Sequence, residues 1–357
     1  MNETKQKILL HCDADRSRGM GHLLRCMMLH GNLAGPGSLL ATSPDSSARR
    51  LLESSGLPWR EIPSRFAGGG LGLVLAGMAK DIDARIVLLD RKNNSRELVQ
   101  ALRQQGLFVV DLEDLGPGRL EADILLDPHI QPGNSEADHD SRAACCYGPN
   151  WALIKPEFAA LRANRAAEEN TDCTTALRVA ISLGGSDPSD LTGRVVGALA
   201  KVDRNLEIEL VLGPGADTSG LPNAGKHKLN IHKNLGNLAN LLASCQLAFV
   251  SGGITMFESL CLGVATVVVP QHEEQYTNAS RLARRNALLV VHPPGESNFA
   301  LGLELAAKEV TGNESLRRKL AVAGAAMVDG NGVRRLENKL LSLLRSNSFG
   351  SIAAKAV

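Results

Sequence analysis

The chain has 357 residues, more than one hydrophobic core usually organises, so two domains of roughly 150 to 200 residues each are expected. It is 44% hydrophobic and 22% charged with a formal net charge of +1, an ordinary globular composition with no electrostatic footprint for nucleic acid. The opening MNETKQKILLHCD is too short in apolar residues for a signal-peptide core or a membrane span, and seven cysteines without a Cys-x-x-Cys pair fit a reducing compartment. A cytoplasmic protein without stable membrane insertion is expected.

Short apolar, β-branched runs alternate with longer helical patterns. In chain order the runs are ILLHC, SLLAT, RIVLLD, LFVVDL and ADILLD, then LRVAISLGG, LEIELVLG, QLAFVSGG, ATVVVP and LLVVHP. That alternation predicts an α/β fold with parallel sheets wrapped by helices. Between ADILLD and LRVAISLGG, residues 163–176 are polar and follow neither period. They read as a linker between an N-terminal domain over 1–162 and a C-terminal domain over 177–332, with a terminal helix and tail over 333–357.

Three runs end in glycine or small polar residues just before a helical pattern: SRGMGH after ILLHC, GGSDPSD after RVAISL and SGGITMFE after LAFV. Ligands of open α/β sheets sit at such strand ends, where glycines let the backbone approach and helix N-termini offer unpaired N–H groups. Together the loops predict an anionic ligand between the two domains, although any one of them would look the same if it merely closed a tight connection. The dinucleotide fingerprint fails, because Arg25 occupies the third small position after Gly19 and Gly21 and is too bulky for close helix–strand packing. No Gly-x-x-x-x-Gly-Lys stretch followed by Ser or Thr occurs either, which removes the usual P-loop reading.

His22 opens a helical pattern, and the electrostatics of a helix N-terminus favour an uncharged imidazole that can accept a proton. Arg25 shares roughly the same helix face, so one ring would hold a water while the guanidinium steadies a phosphate or carboxylate. The alternative is that His22 only caps the helix or binds ligand passively. Asp13, just after the first run, would orient His22 or cap the loop. In SGGITMFESL, the turn Ser251–Gly253 with Thr255 would cradle a diphosphate. Glu258, one helical turn on, would meet sugar hydroxyls or simply favour the first turn. Gln271, Gln275 and Asn278 follow the ATVVVP run and suit polyhydroxylated or acetamido groups, as a solvated loop also would.

The Gly-x-Gly-His-x-x-Arg opening, the central YGPNWALIKPEFAALR, the SLGGSDP loop and SGGITMFESLCLGVATVVVP followed by EEQYTNAS resemble the nucleotide-sugar hydrolases of pseudaminic acid biosynthesis, the PseG family, and the related spore-coat polysaccharide proteins. The similarity runs from about residue 7 to about residue 340. The GG-x-T-x-x-E loop is also similar to that of MurG-type glycosyltransferases. The resemblance implies a GT-B fold of two Rossmann-like, doubly wound parallel-sheet domains with an interdomain cleft. It implies a UDP-sugar substrate, a UDP-activated diacetamido-trideoxy-altropyranose in the family, cleaved by inverting hydrolysis without a metal or other cofactor. By motif matching, Gly184, Gly185 and Ser186 would line the phosphates, Ser251, Gly252, Gly253 and Thr255 would form the diphosphate cradle, and Glu258 would meet the ribose. His22 would be the base at the anomeric carbon. Where the hydrolases show an aspartate followed within two residues by an aromatic, Asp90 is followed here by Arg91, Lys92 and Asn93, which implies a more polar wall facing the sugar. A glycosyltransferase of MurG type and a non-catalytic nucleotide-sugar-binding partner protein are the two other readings.

Overall fold

The computed structural model describes residues 6–14, 20–130, 143–165, 176–184, 187, 190–213, 220–233, 235 and 237–345. The chain forms two compact units, Met1–Leu153 with Asn331–Val357, and Ile154–Gly330.

Among its described residues the first unit carries seven strands: β1 (Ile8–Ala14), β2 (Leu39–Pro44), β3 (Trp59–Glu61), β4 (Ile86–Asp90), β5 (Phe108–Leu112), β6 (Ile124–Asp127) and β7 (Ala144–Tyr147). They pair in the order β3-β2-β1-β4-β5-β6-β7, every neighbour parallel. Alternate residues of the central strands feed opposite faces. Ile8, Leu10 and Cys12 join Leu23, Cys26 and Leu29 of the helix Gly21–Asn32 in one core cluster. Leu9, Val87 and Leu89 join Leu71 and Leu75 of the helix Gly68–Asp81 in another. Burial on both faces explains why these strands read as continuous apolar runs.

The glycine-rich helix Gly68–Asp81 lies against the helix Arg96–Gln104. A Cβ at Gly72 would meet Ala101 Cβ at 2.7 Å and the Leu98 carbonyl at 2.8 Å, so only glycine permits that approach. Among the described residues no helix is long and apolar enough to cross a membrane.

The second unit holds β8 (Leu177–Ser182), β9 (Leu206–Leu212), β10 (Lys228–Lys233), β11 (Leu247–Val250), β12 (Ala265–Val268) and β13 (Leu289–Val290), all parallel in the order β10-β9-β8-β11-β12-β13. Its core gathers Val179, Ile181, Ile208, Leu210, Phe249 and Val267 with helical residues such as Val195 and Leu303.

The chain enters the second unit at Ile154, ahead of the polar segment 163–176. The helix Pro156–Arg165 belongs to the second unit and takes up residues 163–165, while 166–175 lie outside the described residues. The chain returns at Asn331, and Val333, Leu336 and Leu340 of the helix Gly332–Arg345 complete the first unit's core. In both sheets the strand order reverses once, between β1 and β4 and between β8 and β11. Such a reversal leaves a crevice at the carboxyl ends of the two strands, the usual ligand position in open α/β sheets.

Candidate functional site

In the first unit the reversal is occupied by charged side chains. β4 ends on Asp90, which is wholly buried, and the helix that follows β1 brings His22 and Arg25 onto it from one face. His22 Nδ1 lies 2.6 Å from Asp90 Oδ1. Arg25 donates from Nη2 to Oδ1 at 2.6 Å and from Nε to Oδ2 at 2.7 Å, a side-on bidentate pair. Its Nη1 donates to the Glu113 carboxylate, so Arg25 bridges two acids. Burial pushes the Asp90 carboxyl up, but the charge and hydrogen bonds of Arg25, with the bond to His22, outweigh it and hold Asp90 at about 2. Asp90 and Glu113 in turn raise Arg25 against its own burial.

An ionised carboxylate only accepts, so the proton of a neutral His22 sits on Nδ1 and Nε2 carries the lone pair. The ring is thereby fixed as a base facing away from Asp90. This is the chemical capacity of the cluster: an oriented imidazole acceptor beside a guanidinium.

Asp13 is not the acid on His22 Nδ1; that acid is Asp90. Asp13, next to last in β1, accepts from Arg91 Nε at 3.0 Å instead, while Asp90 at the end of the neighbouring β4 receives His22. Gly21 begins the helix and a Cβ there would meet nothing within 4 Å. Gly19 lies outside the described residues.

In the second unit the corresponding strand ends carry backbone and neutral amides. Gly184 follows β8 at φ 102°, within reach of the Gln271 amide and the Ser251 hydroxyl. Gln271 Nε2 donates to the Leu183 carbonyl at 2.6 Å, and Gln275 Oε1 accepts from the backbone N–H of both Gln271 (2.9 Å) and Gly252 (3.2 Å). Gln275 is therefore a clamp on the Ser251–Gly253 turn, and the Gly252 N–H is already engaged. The helix Ile254–Cys261 starts at Gly253 with no side-chain cap, so its first-turn N–H groups keep the positive end of the helix open to an anion. The helix Gly21–Asn32 also starts without a side-chain cap. After β8 the situation differs: Asp187 accepts from Leu191 and Thr192 N–H, and Asp190 from Gly193 N–H. Those carboxylates fill the helix N-terminus that an anion would otherwise use. Gly185 and Ser186 lie outside the described residues.

Glu258 is buried, and burial raises its carboxyl to about 7 against the pull of Lys155 and a hydrogen bond with Thr255. Asn278 stands one turn beyond Gln275 and accepts from Arg281 at 3.4 Å.

Sequence reasoning passed over Glu113 and His129. Glu113 directly follows β5 and His129 stands two residues beyond Asp127, the last residue of β6; with Asp13 next to last in β1 and Asp90 last in β4, a row of acids at or beside strand ends was the available signal. Glu113 adopts φ 52°, a left-handed conformation uncommon for a side-chain-bearing residue and often kept at functional sites. It turns the chain so that the backbone bonds to β6 while the carboxylate meets Arg25.

Two doubly wound parallel α/β units define the GT-B fold, and this chain has it. No protein-family model matches the chain. The spore coat polysaccharide biosynthesis protein SpsG of Bacillus subtilis is 25% identical over 353 residues, covering 92% of this chain and 95% of that protein. An uncharacterized protein of Methanocaldococcus jannaschii is 26% identical over 282 residues, 75% of this chain; the chain spans only 56% of that relative's length. Among solved structures, Acinetobacter baumannii MurG superposes with a TM-score of 0.67 at 17% identity, over 94% of this chain and 99% of that one. The spinosyn rhamnosyltransferase SpnG, in complex with thymidine diphosphate, gives 0.57 at 18% identity, over 93% and 100%.

Proposed function

We propose that the protein binds a UDP-linked amino sugar and hydrolyses it at the anomeric carbon, releasing UDP and the free sugar, in the biosynthesis of a surface polysaccharide or a nonulosonic acid. The observation that carries this reading is the His22–Asp90–Arg25 arrangement at the strand-order reversal, which leaves one imidazole nitrogen as a directed acceptor. The relationship to SpsG supports a polysaccharide role.

In this reading the uncapped helix at Gly253 and the Ser251–Gly253 turn hold the diphosphate, with Gly184 beside it and the Thr255–Glu258 pair toward the ribose. His22 Nε2 takes a proton from water as its oxygen bonds to the anomeric carbon and the carbon–oxygen bond to phosphate breaks. The electron pair leaves with UDP. A diphosphate leaving group needs charge stabilisation more than a proton, so one base suffices, and such a base supplies about 10²- to 10⁴-fold.

A glycosyltransferase is the second reading, favoured by the likeness to MurG and to SpnG, whose structure holds thymidine diphosphate. Incubation with a UDP-activated diacetamido sugar separates the two. Free UDP appearing with water alone supports hydrolysis; UDP released only after an acceptor is added makes the protein a transferase. His22→Asn is expected to lower turnover about 10²- to 10⁴-fold while calorimetry shows UDP affinity kept. Failure to prefer UDP over other nucleotides would undercut the hydrolase reading.

A further inference from the structure

A second imidazole stands on the same row of strand ends. Asp127 closes β6, and its Oδ1 meets both the backbone N–H and the ring Nδ1 of His129, each at 2.8 Å. The neighbouring strand end is Glu113, whose backbone N–H donates to the Leu126 carbonyl at 2.9 Å and whose carboxylate holds Arg25. A continuous path of contacts therefore runs His22–Asp90–Arg25–Glu113 and across one backbone bond to β6 and His129. The side chain of His129 is 14% exposed and that of His22 is 11% exposed, so the two rings reach the surface to the same small extent.

The charges around the two rings differ. Asp90 shares its negative charge with a bidentate guanidinium. His129 faces Asp127 from β6, Glu113 from the end of β5 and Arg25 from the helix after β1, two acids against one base. Burial lowers its proton affinity, yet the Asp127 bond and the charges of Glu113 and Asp127 raise it overall. One row of strand ends thus holds two imidazoles, each bonded through Nδ1 to a strand-end aspartate, and the acids around His129 favour its charged form.

We propose that His129 is a second substrate-contacting residue of this site, donating a hydrogen bond from its imidazolium to an acceptor oxygen of the sugar, such as an acetamido carbonyl, while His22 acts on water. The inference rests on the UDP-sugar reading above and deepens it. It names a sugar bearing an acceptor oxygen as the substrate class, in place of the aromatic contact that Arg91–Asn93 cannot supply.

Ring-nitrogen NMR of the whole protein tests it in two arms. Without ligand, His129 is expected to stay doubly protonated to higher pH than free imidazole, and Glu113→Gln to bring its midpoint down; a midpoint at or below that of free imidazole overturns the inference. With UDP-N-acetylglucosamine as probe, the signals of both His129 and His22 are expected to move, and UDP alone to leave His129 in place. If His22 moves and His129 does not, this inference falls and the functional reading stands; no uptake of UDP by calorimetry removes both. In turnover assays His129→Leu is expected to lose about 10- to 100-fold in kcat/KM. His129→Gln, which keeps a side-chain N–H donor, should recover part of that while losing the alkaline limb of the pH profile. Equal rates and profiles for all three proteins would overturn it.

Discussion

In the first unit the strands that flank the order reversal, β1 and β4, lead into His22 and Asp90; in the second the strands in the same positions, β8 and β11, lead into Gly184 and Ser251–Gly253. The first set is ion-paired and buried, with Arg25 between two acids. The second is built from glycine turns tied by the Gln271 and Gln275 carboxamides. Groups that move or hold protons need charged neighbours to fix their proton state, whereas an anion such as a diphosphate is well served by backbone N–H groups that bring no competing charge. One architecture, used twice along the chain, carries two different sets of groups at the same position.

Asp90→Asn attacks the charged half most directly. It leaves the buried Arg25 guanidinium with the charge of Glu113 alone and replaces one of the two carboxylate acceptors by an amide donor, so a loss of about 3–5 kcal/mol in folding stability is expected, read by urea unfolding. A variant as stable as the parent would mean that the cluster is solvated and the contrast between the units is unreal.

The two halves should also respond to pH with opposite sign. Asp90 is held at about 2, below its ordinary 3.8, so its stabilisation is complete above that ordinary value and is lost as pH falls toward 2. Glu258 is raised from 4.5 to about 7. Between those values the folded protein keeps a proton that the unfolded chain has released, so stability falls by about 3 kcal/mol as pH rises through that interval. Glu258→Gln should match the parent near pH 5 and exceed it by about that amount near pH 8; parallel behaviour at both would sink the assignment.

The smallest expected effect sharpens the neutral half. A Cβ at Gly252 would approach Gln275 Cβ to 2.7 Å, pushing the clamp off the turn. Gly252→Ala should cost about 1–3 kcal/mol and weaken UDP binding measurably by calorimetry. Unchanged affinity would move the anion site elsewhere.

The runs from ILLHC to LLVVHP mark ten strands because those strands are buried on one or both faces and therefore written in apolar, β-branched residues. β3 and β10 escaped notice for the same reason inverted, and β7, ACCY, because it is only four residues long and lacks β-branched residues. Each lies at a sheet edge, and WRE and KLNIHK carry the charged and polar residues that exposed edges tolerate. In the site, His22 and Arg25 were legible because a glycine-flanked helix start is a local pattern. Asp90 was visible as a strand-terminal acid, but its bond to a residue 68 positions away follows from strand order, which periodicity does not encode. The handover of His22 from Asp13 to Asp90 is of this kind. So is the engagement of Gln275, whose amide looks free for sugar until the neighbouring turn is in place.

The second unit is one uninterrupted stretch, Ile154–Gly330, whereas the first is made of two pieces and draws Val333, Leu336 and Leu340 from beyond it. During synthesis the inner segment can finish its core before the outer one has received its last wall. The first unit would then be the later to mature on the ribosome, and a nascent chain stopped short of the helix Gly332–Arg345 would carry a completed second unit and a first unit whose hydrophobic core is still open.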